Sequence, residues 1–298
     1  MSRPYVDRPV GDAEGSDRAA RAAAERWGLE PPVLLRRAMN AIHRCGDVVV
    51  RVAVPTAPAE RSLELARLLA ERGVAVPAPA RDDAVVVDGF SVTAWEHVEA
   101  SGDPVDWPGV GAAVRAVHDL DPGDLPAGLP RPSPLELPWW DHEALLAEVE
   151  PDLDDEAASG LRAALDRHRG WRDRLVAERA VVCHGDVHPG NVVQAAVGPV
   201  LLDWDLLCLA PPAWDHAPLM TWTERWGGEA GIYEAFADGY GCDARDDELA
   251  RSLAELRLVS ATLMACRAAR ADRSARAEVD RRLALWRGDP SAPTWRAR

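Results

Sequence analysis

Cys183-His184-Gly185-Asp186-Val187-His188-Pro189-Gly190-Asn191, and a little further on Leu201-Leu202-Asp203-Trp204-Asp205, is where the chain concentrates its chemistry. Ionisable side chains crowd a short, turn-rich loop between two apolar runs, VVC before it and VLLDW after it. Runs of that kind read as strands that hold the loop rigid at the edge of a buried sheet, with Pro189 and Gly190 fixing its path. Asp186 offers a base, while Asn191 and Asp203 offer oxygen ligands. Hard oxygen donors suit magnesium rather than zinc. His184, Asp186 and His188 stand at alternate positions and are open to a zinc-hydrolase reading, but Pro189 and Gly190 break the run at once and that reading leaves LLDWD without a role.

Upstream, Asp12 to Trp27 has helical spacing and stops at Gly28, a residue that tolerates the left-handed conformation of a helix end. From Val33 the text turns β-branched. VLLRR, NAIHRC and VVVRVAV read as three antiparallel strands, with turns at Met39-Asn40 and Gly46-Asp47. Pro58 to Arg72 places Leu63, Leu65, Leu68 and Leu69 at helical spacing, and AVVVD and FSVTAW give two further strands. After Glu99 the breaker cluster Ser101-Gly102-Asp103-Pro104 opens a region rich in Ala, Leu and Arg that reads as mainly helical. A boundary near residue 99 is expected, dividing the chain into 1–99 and 100–298. The fold class is α+β. Asp121 to Pro138, dense in Pro and Gly, reads as a long surface connection.

Composition narrows the function. The chain has 298 residues and a net charge of −15, which disfavours binding to nucleic-acid phosphates. All 34 basic residues are Arg, so chemistry that needs a lysine amine is excluded. The 5 cysteines are scattered without metal-binding spacing and read as reduced, cytoplasmic thiols. Neither a signal peptide nor an apolar run of about 20 residues is present, so no membrane association is expected.

The pair HGDVHPGN and LLDWD resembles the catalytic loop and metal-binding segment of the aminoglycoside phosphotransferase and choline kinase family. That resemblance implies a protein-kinase-like bilobal fold, with a five-stranded antiparallel lobe carrying one helix and a larger helical lobe. It implies phosphoryl transfer from ATP or GTP, assisted by Mg2+, to a hydroxyl of a small molecule, with no protein partner. By the same resemblance Asp186 is catalytic with His188 beside it, and Asn191 and Asp203 hold the metal. Asp205 is placed to assist the metal or to cap the next turn, His184 to brace the loop, and Asp215 to steady it.

In the first lobe the glycine-rich GxGxxG loop of protein kinases is missing between Val33 and Val48, as it often is in members of this family. The turn at Asn40 is the candidate to cover the phosphates through backbone N–H groups, or it is a plain hairpin. Arg51 stands where the superfamily commonly has a phosphate-binding lysine. Its carboxylate partner is expected from the following helix, where Glu60 and Glu64 are available and the family register falls on Ser62. Glu96 and Val98 resemble the hinge that reads the purine edge. In the second lobe, Trp222, Glu224, Trp226, Tyr233, Asp243, Asp246, Asp247 and Glu248 combine rings and acids in a way that suits a sugar or an amine, or form a solvated face. Arg51 and the doubtful partner leave one alternative, a nucleotide-binding pseudoenzyme with a sensing role.

Overall fold

The computed structural model describes residues 3–296. Helix α1 (Ala13–Trp27) begins where the Asp12 carboxylate accepts the Gly15 amide at 2.9 Å and ends at Gly28 in the left-handed region, φ 64°. Strands β1 (Val33–Arg37), β2 (Ala41–Cys45) and β3 (Val48–Ala53) follow, then α2 (Glu60–Glu71), β4 (Val85–Val87) and β5 (Phe90–Glu96). They form one antiparallel 5-stranded sheet in the order β1-β2-β3-β5-β4.

The period-2 alternation of β3 decides what the sheet does. Val50 and Val52 point to one face and pack with Ala19, Ala20, Ala23 and Ala24 of α1. Val49 and Arg51 point to the other, where Ile42 and Trp95 join them along a cleft. One face is therefore closed by a helix of small residues, and the other is left for a ligand.

The helical part comprises α3 (Trp107–His118), α4 (His142–Val149), α5 (Asp155–Arg167), α6 (Trp171–Ala177), α7 (Ala213–Met220), α8 (Trp222–Trp226), α9 (Ile232–Tyr240), α10 (Glu248–Ala271) and α11 (Arg276–Trp286). Helix α10 is the spine against which α4, α5, α6, α7 and α11 pack. Two small antiparallel pairs pack against α3. Strands β6 (Val181–Cys183) and β9 (Cys208–Ala210) form one, and β7 (Val192–Ala195) and β8 (Gly198–Leu201) the other. The long connection 121–138 is laid down as short 3₁₀ turns.

One continuous apolar cluster runs from Leu65 and Leu69 of α2 through Val110 and Val114 of α3 to Val182 and Val187. The sheet and the helices are thereby packed across the cleft. All five cysteines are free. Among the described residues no helix is long and apolar enough to cross a membrane.

Candidate active site

The loop 184–191 leaves β6 and returns into β7, and its shape is imposed from beneath. Asp215, fully buried at the start of α7, accepts the amides of His184 and Gly185, each at 2.8 Å. Its second support is His118, whose Nε2 lies 3.1 Å away and whose Nδ1 meets the Tyr240 hydroxyl at 2.8 Å. Burial alone would raise this carboxyl, but His118 and the loop amides outweigh it and hold the pKa below the usual carboxylate range. Gly185 has φ +94°, and a Cβ there would meet the Leu206 carbonyl oxygen at 2.0 Å, so only glycine fits.

His184 is fully buried and donates from Nε2 to the Leu202 carbonyl at 2.9 Å, while its Nδ1 accepts the Asp186 amide at 3.3 Å. Both nitrogens are occupied, and burial depresses its pKa. That geometry ties the loop to the segment before Asp203 and removes His184 from any shared metal triad with Asp186 and His188.

Asp186 is placed by contacts to three side chains. Arg257 of α10 donates to Oδ1 at 2.7 Å; Asn191 Nδ2 reaches the Asp186 carbonyl at 2.9 Å and Oδ2 at 3.3 Å; His188 Nε2 lies 3.3 Å from Oδ2. The His188 proton sits on Nε2, because its Nδ1 accepts the Gly190 amide at 3.0 Å. Burial works against the charge on Asp186, yet the His188 hydrogen bond and the Arg257 guanidinium prevail and keep the carboxyl well below its ordinary value. The group is ionised at neutral pH.

Asp203 follows β8 in the left-handed region, at φ 60° and ψ 69°. It is one of only two non-glycine residues with positive φ among the described residues. Strained backbone of this kind is held in place by the surrounding fold, here to aim a carboxylate into the cleft. Burial first, and then the neighbouring charge of Asp205, push its pKa up to about 7. A divalent cation fits this donor set. Asn191 uses its NH₂ on Asp186 and keeps its amide oxygen for another partner, and the crowding that raises Asp203 is what a bound cation would relieve.

Arg51 does reach the cleft, but its carboxylate partner is not on α2. Glu60 and Glu64 do not face it: Glu64 is paired with Arg61 at 2.7 Å, and Ser62 donates back to the Ala59 carbonyl at 2.7 Å. Asp205 takes the role instead. Both of its oxygens accept Arg51 Nη2, Oδ2 at 2.6 Å, and Oδ2 also accepts Asn40 Nδ2 at 2.8 Å. Asn40 is thus a buried side-chain ligand of Asp205, at 3% exposure, rather than only a turn residue above the phosphates.

These residues line a cavity of about 370 Å³ that extends from Arg51, Asn191, Asp203 and Asp205 to Glu96, His97 and Val98. Glu96 and His97 have their amides bonded to the Ala78 and Asp47 carbonyls. On the other side of the loop a second cavity, of about 460 Å³, is bounded by Asp186, His188 and a wall of tryptophans. Trp222 and Trp226 belong to that wall. The other C-terminal candidates do not. Tyr233 is buried in the core, Asp243 pairs with Arg245, Asp247 caps α10, Glu248 pairs with Arg174, and Glu224 and Asp246 face solvent. Sequence reasoning missed Arg257. The available signal was a charged residue between Leu256 and Leu258, both buried, in the middle of an apolar helix.

Two cavities on either side of one loop, with Asp186 in one and its hydrogen-bond partner Asn191 among the oxygen donors of the other, belong to a kinase-like small-molecule phosphotransferase. The profile of the phosphotransferase enzyme family, APH, matches residues 40–257, and the chain belongs to that family. Among curated proteins none matches. Solved structures share the fold. Spectinomycin phosphotransferase, in complex with ADP and spectinomycin, aligns with a TM-score of 0.65 at 16% identity, over 86% of this chain and 89% of its own. A choline/ethanolamine kinase family protein from Mesorhizobium loti gives 0.62 at 19% identity, over 94% and 95%. An APH enzyme in a complex with GDP and kanamycin gives 0.66 at 16% identity, over 88% and 94%.

Proposed function

We propose that the protein transfers the γ-phosphoryl group of ATP or GTP to a hydroxyl of a small molecule, with residues 1–99 forming the nucleotide lobe and 100–298 the acceptor lobe. The observation that carries this reading is the position of Asp186. It lines the tryptophan-walled cavity, and it accepts a hydrogen bond from Asn191, which lines the other.

The acceptor hydroxyl approaches Asp186 from the second cavity. Oδ1 is held by Arg257 at 2.7 Å, whereas Oδ2 has only contacts of 3.3 Å, so Oδ2 is the oxygen free to accept the hydroxyl proton. A carboxylate held so far below its usual pKa is a weak base that orients the hydroxyl. That is sufficient for a loose transition state in which little proton abstraction precedes transfer. His188 and Asn191 fix Asp186 from either side. Asn191 and Asp203 would hold Mg2+, which supplies neutralisation of the β- and γ-phosphates when nucleotide is bound. Arg51, oriented by Asp205 and Asn40, contacts the remaining phosphate charge, and the backbone at Glu96 and Val98 faces the base.

The test is product mass after incubation of hydroxylated acceptors with ATP or GTP. Asp186→Asn, nearly isosteric, is expected to lower turnover by about 10²-fold or more while nucleotide affinity stays within about threefold. Unchanged turnover in that variant would remove Asp186 from the chemistry. Nucleotide binding without phosphoryl transfer to any acceptor would favour the sensing alternative.

A further inference from the structure

The acceptor cavity has a composition that its C-terminal sequence did not suggest. Trp139, Trp140, Trp214, Trp222 and Trp226 are among its lining residues, with Met264 at its mouth. Its charged residues are Asp186, Arg257 and Arg282. Asp186 is therefore the one acid among the described lining residues, and it is already paired with Arg257 at 2.7 Å. The acids nearby in sequence, Glu224, Asp243, Asp246, Asp247 and Glu248, are not among the lining residues.

Two of the five tryptophans already have a guanidinium over one face. The Arg257 guanidinium lies over Trp214, 5.4 Å from the ring centroid, and that of Arg282 lies over Trp226 at 5.0 Å. Arg282 is itself fixed, by Glu278 at 2.9 Å and the Ala261 carbonyl at 2.7 Å. His188 and Trp222 stack almost parallel, 7° apart at 5.0 Å, and Trp226 continues the stack at 5.3 Å. A ligand ammonium entering this space meets two guanidinium groups, and the one carboxylate it can reach, Asp186, already has Oδ1 held by Arg257. A flat, uncharged ring finds a surface of matching shape and polarity.

We infer that the acceptor is an alcohol carried on an uncharged, ring-bearing, largely apolar scaffold, and not an amine. The inference rests on the phosphotransferase reading of Asp186. The five cavity tryptophans make intrinsic fluorescence a direct probe of occupancy, independent of turnover. Full-length protein is titrated with uncharged probes, an aryl glucoside and an uncharged macrolactone, and with the cations kanamycin and choline. Magnesium-nucleotide binding is measured in parallel, and its loss would count against the phosphotransferase reading rather than against the acceptor class.

The better uncharged probe is expected to bind at least about tenfold more tightly than either cation. Trp222→Ala is expected to weaken it by about tenfold without changing nucleotide affinity, as loss of a ring anchor does. Met264→Glu, at a position 37% exposed, places a carboxylate at the mouth and is expected to strengthen kanamycin or choline binding by about fivefold or more. Equal, reversed or absent binding of both probe sets overturns the inference. So does a Met264→Glu variant in which cation affinity does not move.

Discussion

At the scale of single residues, the arginine that replaces the expected lysine brings its own partner with it. A guanidinium fork can bind a carboxylate with two nitrogens or give one nitrogen to both oxygens; here Nη2 does the latter with Asp205. Both side chains are nearly closed from water, at 13% and 11% exposure. Removing either strands the other as a poorly solvated charge. Arg51→Met and Asp205→Asn are therefore each expected to lose about 2 kcal/mol of stability in urea unfolding. The double variant is expected to lose little more than either single one, because the pair is removed as a unit. Additive losses would show that the two side chains act independently. Sequence reading pointed to Arg51 through the family resemblance of its strand, and to Asp186, Asn191 and Asp203 because they stand on one short loop and the segment after it. It could not find Asp205 as the partner, 154 positions from Arg51, nor Arg257, 71 positions from Asp186. Pairings of that span depend on how whole elements are packed, which no local pattern encodes.

Elements were legible where one physical signal sufficed. β-branched alternation marked the sheet, an Asp cap and a terminal glycine bounded α1, and the leucine spacing marked α2. Strand β9 is too short to carry a pattern, and the acidic faces of the C-terminal helices could not be rotated toward or away from the cavity from sequence alone. The packing of α3 on α9 shows how such an orientation is set. Gly111 and Gly239 let the two helices touch: a Cβ on Gly111 would stand 2.1 Å from the Phe236 carbonyl oxygen, and one on Gly239 would stand 1.9 Å from that of Pro108. Helix α3 ends in His118, which supports Asp215 and through it the loop bearing Asp186. Gly111→Ala is expected to force the helices apart, lowering stability by about 2 kcal/mol through overpacking. Because His118 moves with α3, kcat is expected to fall as well, with nucleotide affinity retained. Ser at the same position should reproduce the defect, whereas Gly123→Ala, in a surface turn outside this contact, should leave kcat unchanged.

For the molecule as a whole, the response to acid follows from two buried histidines that take no part in the reaction. His142 and His216 are 1% and 2% exposed, and burial pushes the pKa of each down to about 4. Their hydrogen bonds agree with that direction. The Tyr233 hydroxyl accepts the Ala244 amide and lies 3.1 Å from His216 Nδ1, where its own proton suits a neutral ring nitrogen. His142 donates from Nε2 to Ser260 Oγ, whose own proton goes to the Trp139 carbonyl. In the unfolded chain both rings titrate near the free value, 6.5. Between that pH and the native value the unfolded state binds protons that the native state does not. Stability is therefore fully present above the unfolded value and falls as pH falls toward 4, by about 2 kcal/mol per histidine at about pH 5. The net charge of −15 acts in the other direction, since added protons reduce self-repulsion. Paired variants separate the two effects. His216→Asn keeps an acceptor near Nδ1 and His142→Gln keeps a donor near Nε2, and neither can be protonated in this range. Urea midpoints at about pH 7.5 and about pH 5 should differ markedly less in the double variant than in the parent. An identical pH slope in both would mean that these two rings are not what limits the fold in acid.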